Sequence, residues 1–373
     1  MTSSLDAPRA GAPDRSRQPG LLLAGDIGGT KTALAIYSAE GGPRSALVEG
    51  EFPSGRYRSL GAIVREFLNG TGLIVERASF AVAGPVIGGS SQLSNLPWLL
   101  SEDELARELQ LQSVHLLNDL EAIAGGITLL GPADLRPLNS GEPVAGGARA
   151  VIAPGTGLGE SFLIYDGTQY RAFPSEGGHA GFAPANDLQA GLLAHLRRTY
   201  DHVSVERVCS GPGLLHIYQY LRDSGHEPES PEMARALAAP EYAPALISGA
   251  ALRPAPDPLS RAALELLVSI LGSEAGNLAV KLLSTGGVYL AGGIPFRILP
   301  ALENGRFMRA FAAKGRLSKL LERMPVWVVA LRAALLGAAI RGLELAKDGQ
   351  TESRRGGEPE PNSPTRGVKC SSA

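Results

Sequence analysis

This sequence predicts an α/β protein with a duplicated core, its two domains facing each other across a cleft. Three observations carry that prediction. Strand-like apolar runs and helical periodicities alternate along most of the chain instead of segregating. An apolar run, Leu21 to Ala24, leads into Gly25-Asp26-Ile27-Gly28-Gly29-Thr30-Lys31-Thr32 and then into a second apolar strand. The same layout recurs where Arg149 to Pro154 leads into Gly155-Thr156-Gly157-Leu158-Gly159 and the apolar stretch Ser161 to Tyr165. In each turn, glycines let backbone N–H groups close on phosphate oxygens with no Cβ in the way; Thr30 and Thr32 add hydroxyl donors, and Asp26 can face a hydrated metal ion. Paired hairpins of this kind imply a core that grips one nucleotide from both sides.

The elements follow in order. Ala78 to Ala83 reads as a buried strand ended by Gly84-Pro85. Ser101-Glu102-Asp103-Glu104 has capping-box spacing and starts a helix through Gln110, which feeds the strand Val114 to Leu117. That strand ends on Asn118-Asp119, and the spacing of Leu120, Ile123 and Ala124 predicts the next helix. The polar pair therefore lies at a strand's carboxyl end, where open α/β sheets place ligands. Residues 141–213 hold most of the remaining glycine-rich sequence, and the pattern weakens from Asp223 to Pro256. Asp257-Pro258 then supplies an N-cap and a first-turn proline for a long helix to about Ser284. The strand Val288 to Ala291 ends in Gly292-Gly293; a strand from Val326 to Ala330 and an amphipathic helix from Leu331 to Lys347 close the fold.

A chain of 373 residues, 44% hydrophobic and 19% charged, is long enough for two domains with their own cores. The expected division is a small α/β domain at 20–129 plus 331–347, the last helix returning to the first half, and a large α/β domain at 130–330. Residues 1–19 and 348–373, dominated by Pro, Ser, Gly, Arg and Glu, are expected to be disordered tails, because they bury too little apolar surface to offset ordering entropy. A net charge of −2 argues against a polyanionic partner such as nucleic acid. Cys209 and Cys370 are the only cysteines, so neither a disulfide framework nor a cysteine zinc site is available, which fits a cytoplasmic compartment. The longest apolar stretch, around Ala262 to Leu283, is interrupted by Glu265, Glu274 and Lys281, so no membrane span is expected.

Asp119 has two readings: an N-cap of the following helix, or a carboxylate facing a cleft that accepts the proton of an attacking hydroxyl in phosphoryl transfer. Glu176-Gly177-Gly178-His179 places a carboxylate and an imidazole either side of paired glycines, an arrangement suited to neighbouring sugar hydroxyls. Its bland alternative is a tight turn followed by a satisfied histidine. Glu206 is either a third sugar ligand or in a salt bridge to Arg207 or another surface partner, and Asn95 is either a cleft amide or a loop turn. Gly286 to Gly293 would let an adenine lie flat against backbone. Taken together, the amides, carboxylates and histidine describe a polyol pocket.

These segments, Asp26 to Thr30, Asn118-Asp119, Gly155 to Gly159, Glu176 to His179, Glu206 to Gly213 and Gly287 to Gly293, occur in an order and spacing that resembles the bacterial glucokinases, from about Leu21 to Lys347. The resemblance implies a duplicated actin- and hexokinase-like (ribonuclease H-like) fold and a kinase that transfers the ATP γ-phosphoryl group to the 6-hydroxyl of glucose in glycolysis. Mannose or glucosamine kinases, or an inactive sugar-sensing protein of the same fold, are the alternatives. It makes Asp119 the catalytic base, and Asn95, Asn118, Asp119, Glu176, His179 and Glu206 the sugar ligands. ATP would be held by Gly25, Asp26, Ile27, Gly28, Gly29, Thr30, Gly155, Thr156, Gly157, Gly292 and Gly293, with Mg²⁺ oriented by Asp26 through water. A homodimer is also implied, as is the zinc-free branch, because ROK-type relatives carry a cysteine and histidine zinc motif. Lys31, where many members of that branch have Asn, and Pro295, earlier than in the usual Ile-x-Pro pattern, are departures.

Overall fold

The computed structural model describes residues 20–93, 96–238, 243–330 and 333–355. Its first half opens with the hairpin β1 (Leu22–Ile27) and β2 (Lys31–Tyr37), continued by β3 (Val48–Pro53), α1 (Leu60–Thr71) and β4 (Arg77–Val82). A small hairpin, β5 (Ser90–Gln92) and β6 (Leu99–Ser101), precedes α2 (Glu102–Leu109), β7 (Ser113–Asn118) and α3 (Asp119–Ile127). The sheet order is β3-β2-β1-β4-β7. β1 pairs antiparallel with β2 and parallel with β4, which is parallel to β7.

The second half begins with β8 (Leu135–Pro137), β9 (Arg149–Pro154), β10 (Leu158–Tyr165) and β11 (Tyr170–Ser175). Helices α4 (Asp187–Leu196), α5 (Gly211–Asp223), α6 (Pro231–Ala236), α7 (Ala243–Ala251) and α8 (Pro258–Leu282) follow. Then come β12 (Val288–Leu290), α9 (Gly293–Arg297), α10 (Leu299–Leu302), α11 (Arg306–Ala312), α12 (Ser318–Arg323), β13 (Val326–Val329) and α13 (Ala333–Arg355). The second sheet runs β11-β10-β9-β12-β13-β8. β9 has an antiparallel neighbour, β10, on one side and a parallel one, β12, on the other, as β1 does, and β8 adds an antiparallel edge. The duplication expected from the glycine turns is therefore present strand for strand.

Local chemistry sets the helix ends. The Ser101 hydroxyl accepts from the Glu104 N–H, and Asp257 Oδ1 accepts from the Ser260 N–H at 2.8 Å, with Pro258 opening α8. Among the described residues α8 is the one helix with the length and apolarity of a membrane span, but most of that length is buried inside the protein. Leu264, Leu267, Ile270 and Leu271 are all nearly inaccessible, each contributing roughly 1.5–3 kcal/mol by burial.

In its middle and at its carboxyl end the fold departs from the sequence reading. The weakly patterned stretch after Asp223 holds α6 and α7, which bury Met233, Ile247 and Ala250. These helices are too short and too alanine-rich to show a clear period. At the carboxyl end, α13 does not stop at Lys347 but runs to Arg355, so the segment expected to be disordered from Asp348 begins as helix. Its composition argued only against burial, and Gln350, Glu352, Arg354 and Arg355 extend a helix without needing any.

α13 returns to the first sheet: Gly342 lies against Leu22 and Ser79, and Arg77 Nη1 donates to the Ala346 carbonyl at 3.2 Å. It crosses α3 at backbone contact. A Cβ on Gly337 would strike the Ala122 carbonyl, and one on Gly126 the Ala333 carbonyl. Gly337→Val should therefore lower unfolding free energy by about 2–3 kcal/mol, read from the guanidinium midpoint.

Candidate active site

β1, β4 and β7 end level with one another, Ile27 beside Val82 and Val82 beside Asn118. Asp26, the chain after β4 and Asn118-Asp119 thus share one sheet edge. Asn118 is the N-cap of α3: its Oδ1 accepts from the N–H groups of Leu120 (2.9 Å) and Glu121 (3.3 Å), and its Nδ2 donates to the Gly84 carbonyl at 3.0 Å. Because Asn118 does the capping, Asp119 is released from that role. One Asp119 oxygen, Oδ1, accepts from the Leu120 N–H at 2.9 Å, which leaves Oδ2 for other chemistry. Burial, the Asp26 carboxylate and, more weakly, Glu176 push the Asp119 carboxyl up to about 7, against the opposing Leu120 hydrogen bond.

In the first glycine turn, the Gly28 N–H donates to the Lys31 carbonyl at 2.9 Å and the Gly28 carbonyl accepts from the Ser54 hydroxyl at 2.7 Å. The Thr32 hydroxyl is fully buried and paired with Ser54 at 3.0 Å. Thr32 is thus part of the turn's scaffold and not a phosphate donor, a correction to the sequence reading; Thr30 is exposed. Lys31 is ion-paired with Glu51.

The second turn is built on the same plan. The Gly155 N–H donates to the Gly157 carbonyl, and the Gly155 carbonyl accepts from the Gly211 N–H at the start of α5, both at 2.8 Å. Gly292, with φ of 82°, lies against the Pro154 carbonyl, so Gly292-Gly293 borders the Gly155 turn. Glu206 Oε2 accepts from the Leu158 N–H at 2.9 Å and lies against Gly157. It is thus tied to the phosphate turn and not to Arg207.

Glu176 and His179 flank a short 3-10 turn, with the His179 N–H donating to the Glu176 carbonyl at 3.0 Å. A bridge between Gly181 and Ser204, together with the Val205 N–H donating to the Ala180 carbonyl at 2.9 Å, brings this segment beside Glu206. His179 Nε2 is 3.8 Å from Glu176 Oε2, and both side chains are open to solvent, at 63% and 75% exposure. Asn95 lies outside the described residues.

Two contacts invisible in the sequence join the halves at this point. Ser161 Oγ on β10 donates to the Leu120 carbonyl at 3.0 Å, and Gly159 is packed by the Leu120 side chain. Ser54 and Ser161 are the residues that sequence reasoning missed. Ser54 just follows a strand and Ser161 lies within one, and neither hydroxyl carries a local signal.

Two sheets of this order, with glycine turns and a carboxylate at a strand end between them, are the architecture of the actin-like fold, which sugar kinases share. The family model described as Glucokinase matches residues 23–344. A glucokinase of Nostoc sp. (strain PCC 7120 / SAG 25.82 / UTEX 2576) is 43% identical over 335 residues, covering 86% of this chain and 98% of that protein. A crystal structure of glucokinase from an Antarctic psychrotroph has a TM-score of 0.70 at 29% identity, covering 88% of this chain and 100% of that one. The fold is shared too with a ROK family glucokinase from Streptomyces griseus in complex with glucose and AMPPNP, at a TM-score of 0.60 and 22% identity, covering 87% and 100% of the two chains. The chain belongs to the glucokinase family.

The raised pKa of Asp119 has a consequence for stability. Its ordinary value is 3.8 and its folded value is about 7. The folded state holds this proton more tightly, so the residue's stabilising contribution is present in full below about pH 4 and is lost as pH rises to about 7. Asp119→Asn should therefore stabilise the free protein at pH 8 by on the order of 2–4 kcal/mol. Urea denaturation should show that gain vanishing near pH 4.

Proposed function

We propose that this protein transfers the γ-phosphoryl group of ATP to the 6-hydroxyl of glucose, giving glucose 6-phosphate and ADP, with Asp119 as the base. The observation that carries the reading is Asp119 itself: a partly buried carboxyl at a strand end, raised to about 7, beside Asp26 and Glu176 and between the two glycine turns. A base with that value is about half ionised at neutral pH, close to the optimum for accepting a proton. The S. griseus relative, whose fold this chain shares, holds both glucose and AMPPNP.

In the reaction, the O6–H proton passes to Asp119 Oδ2 as the bond from O6 to the γ-phosphorus forms. The bond from that phosphorus to the β,γ-bridging oxygen breaks, and ADP leaves with the electron pair. The transition state is loose, so the proton moves late and positioning dominates. Glu176, His179, Glu206, Asn118 and Asn95 take the remaining hydroxyls. The first turn, Gly25 to Thr30, and the second, Gly155 to Gly157 with Gly292 and Gly293, cradle the phosphates and the nucleotide. The lobes 20–129 plus 331–347 and 130–330 close on the sugar, excluding the water that would waste ATP.

Mg²⁺ takes oxygen ligands and keeps several waters. Asp26 supplies one carboxylate at the phosphate turn, and no group of three or more His, Cys, Asp or Glu that could hold a metal occurs among the described residues. That donor set fits an ion carried mainly by phosphate oxygens and water, with Asp26 holding it through water. When bound, the ion neutralises charge on the β- and γ-phosphates. The same reading has the enzyme opening glycolysis in the cytoplasm as a homodimer.

A coupled assay over glucose, mannose, glucosamine and fructose should show hexose-dependent ADP release with glucose preferred; ADP release indifferent to hexose would overturn the assignment. Asp119→Asn should lower kcat by about 10²–10⁴-fold while calorimetric glucose binding persists, and wild-type kcat/KM should fall below about pH 7 as the base is protonated. Glu176→Gln and Glu206→Gln should each raise the glucose Kd by roughly tenfold to a hundredfold, the equivalent of about 1.5–3 kcal/mol for a hydrogen bond to a charged group. Unchanged affinity by calorimetry would return both residues to a structural role.

A further inference from the structure

Beneath the Glu176–His179 turn lies a carboxyl group that the phosphoryl-transfer chemistry does not use. Glu160 is on β10, paired in register with Ser175 at the end of β11, and is 1% exposed. Its Oε1 has no hydrogen-bond partner among the described residues. Its Oε2 lies directly against Gly177, where a Cβ would collide with it, and a Cβ on the next residue, Gly178, would collide with the Leu158 carbonyl. The paired glycines inside the candidate sugar motif therefore have a physical reason: the turn's backbone rests on β10 and on the Glu160 carboxyl. The Gly177 N–H is already committed to the Ser175 hydroxyl at 3.0 Å, so it cannot satisfy Glu160.

The groups around Glu160 decide its charge state. Glu274 on α8, 6% exposed, faces it, with its own Oε1 lacking a hydrogen-bond partner and its Oε2 accepting from Asn277 Nδ2 at 2.9 Å. Lys281, about two turns further along α8, places Nζ 3.9 Å from Glu274 Oε1 but keeps most of its side chain in water. Cys209, ahead of α5, is buried with its thiol pushed far up by burial and by these two carboxyls. Lys314 Nζ is engaged with the Ser273 carbonyl at 2.9 Å and with Asn277 Oδ1 at 2.7 Å. Glu160 thus faces a second carboxyl and no direct cation. Burial first, and Glu274 second, push it up to about 7 against the opposing charge of Lys281. An unpaired buried carboxylate is costly, so the neutral acid is the form that fits this packing.

We propose that Glu160 is a positioning residue for the hexose site: its neutral carboxyl is the floor on which the Glu176–His179 turn rests, and ionising it loosens that turn and weakens hexose binding. The inference rests on the hexose-kinase reading above and adds to it a pH-dependent control of sugar affinity separate from the catalytic base. Ionisation sets a negative charge beside Glu274 with no donor available from Gly177, so water or backbone must move to solvate it. That movement falls on the segment that carries Glu176 and His179.

The test is calorimetric titration with glucose from pH 6 to pH 9 on the full chain, wild type beside Glu160→Gln and Glu160→Ala. Asp119 titrates in all three proteins, so the differences between them isolate Glu160. Glu160→Gln keeps the neutral shape and should show only the pH dependence that Asp119 imposes. Wild type should weaken relative to it by about fivefold or more by pH 9, the size of a lost hydrogen bond. Glu160→Ala should bind weakly at every pH. Glu274→Gln, which removes the facing charge, should move the wild-type weakening to lower pH, and it serves if Glu160→Gln fails to fold. Wild type and Glu160→Gln losing affinity in parallel would overturn the proposal, as would Glu160→Ala keeping wild-type affinity. A wild type that binds no hexose at any pH would overturn the hexose reading itself, whereas hexose binding without these differences overturns only the role of Glu160.

Discussion

The amino end of α3 is held by both halves of the molecule, and the rest of the site depends on that clamp. Asn118 caps the helix and ties it to Gly84 after β4, while Ser161 on β10 donates to the Leu120 carbonyl and Gly159 makes room for the Leu120 side chain. Asp119 lies between these anchors, so its carboxyl is fixed by backbone and not by its own rotamer alone. The contact of α13 with α3 through Gly126 and Gly337 holds the other end of the same helix. Close backbone packing of this kind leaves little room for drift.

Electrostatics then select what the clamped groups can do. The charges of Asp26 and, more weakly, Glu176 act on Asp119, whose burial is the larger cause of its upward shift. Sugar hydroxyls donating to the carboxylate would favour its ionised form, so substrate and base adjust to one another as the cleft fills. The Glu160–Glu274 pair repeats the same principle one layer deeper, under the turn that carries the candidate sugar ligands. Carboxyls at two depths therefore titrate near neutrality for the same reasons: removal from water and a like charge nearby.

Much of this was legible in the sequence because it is local. Glycine turns after apolar strands, Asn118-Asp119 at a strand end and Asp257-Pro258 at a helix start are short-range signals, and each lies where its pattern placed it. Features that depend on distant partners were not legible. Thr32 looks like a free hydroxyl beside a phosphate turn until Ser54 arrives from the start of the segment after β3. Whether Asn118 or its neighbour caps α3 turns on a single side-chain choice that propensity does not separate. Glu160 follows the second glycine turn with no signal of its own in the sequence, and only the approach of α8 and of Gly177 shows it to be buried. The extension of α13 to Arg355 was missed because low hydrophobicity argues against burial, not against helix.

The central claim is that Asp119 Oδ2 meets the primary hydroxyl of a hexose opposite the terminal phosphate. A crystal structure of the protein with glucose and a non-hydrolysable ATP analogue measures that directly. The account predicts Oδ2 at about 2.6–3.2 Å from O6, with the γ-phosphate on the far side of that oxygen. A closed complex in which Asp119 turns away and another group contacts O6 would contradict it.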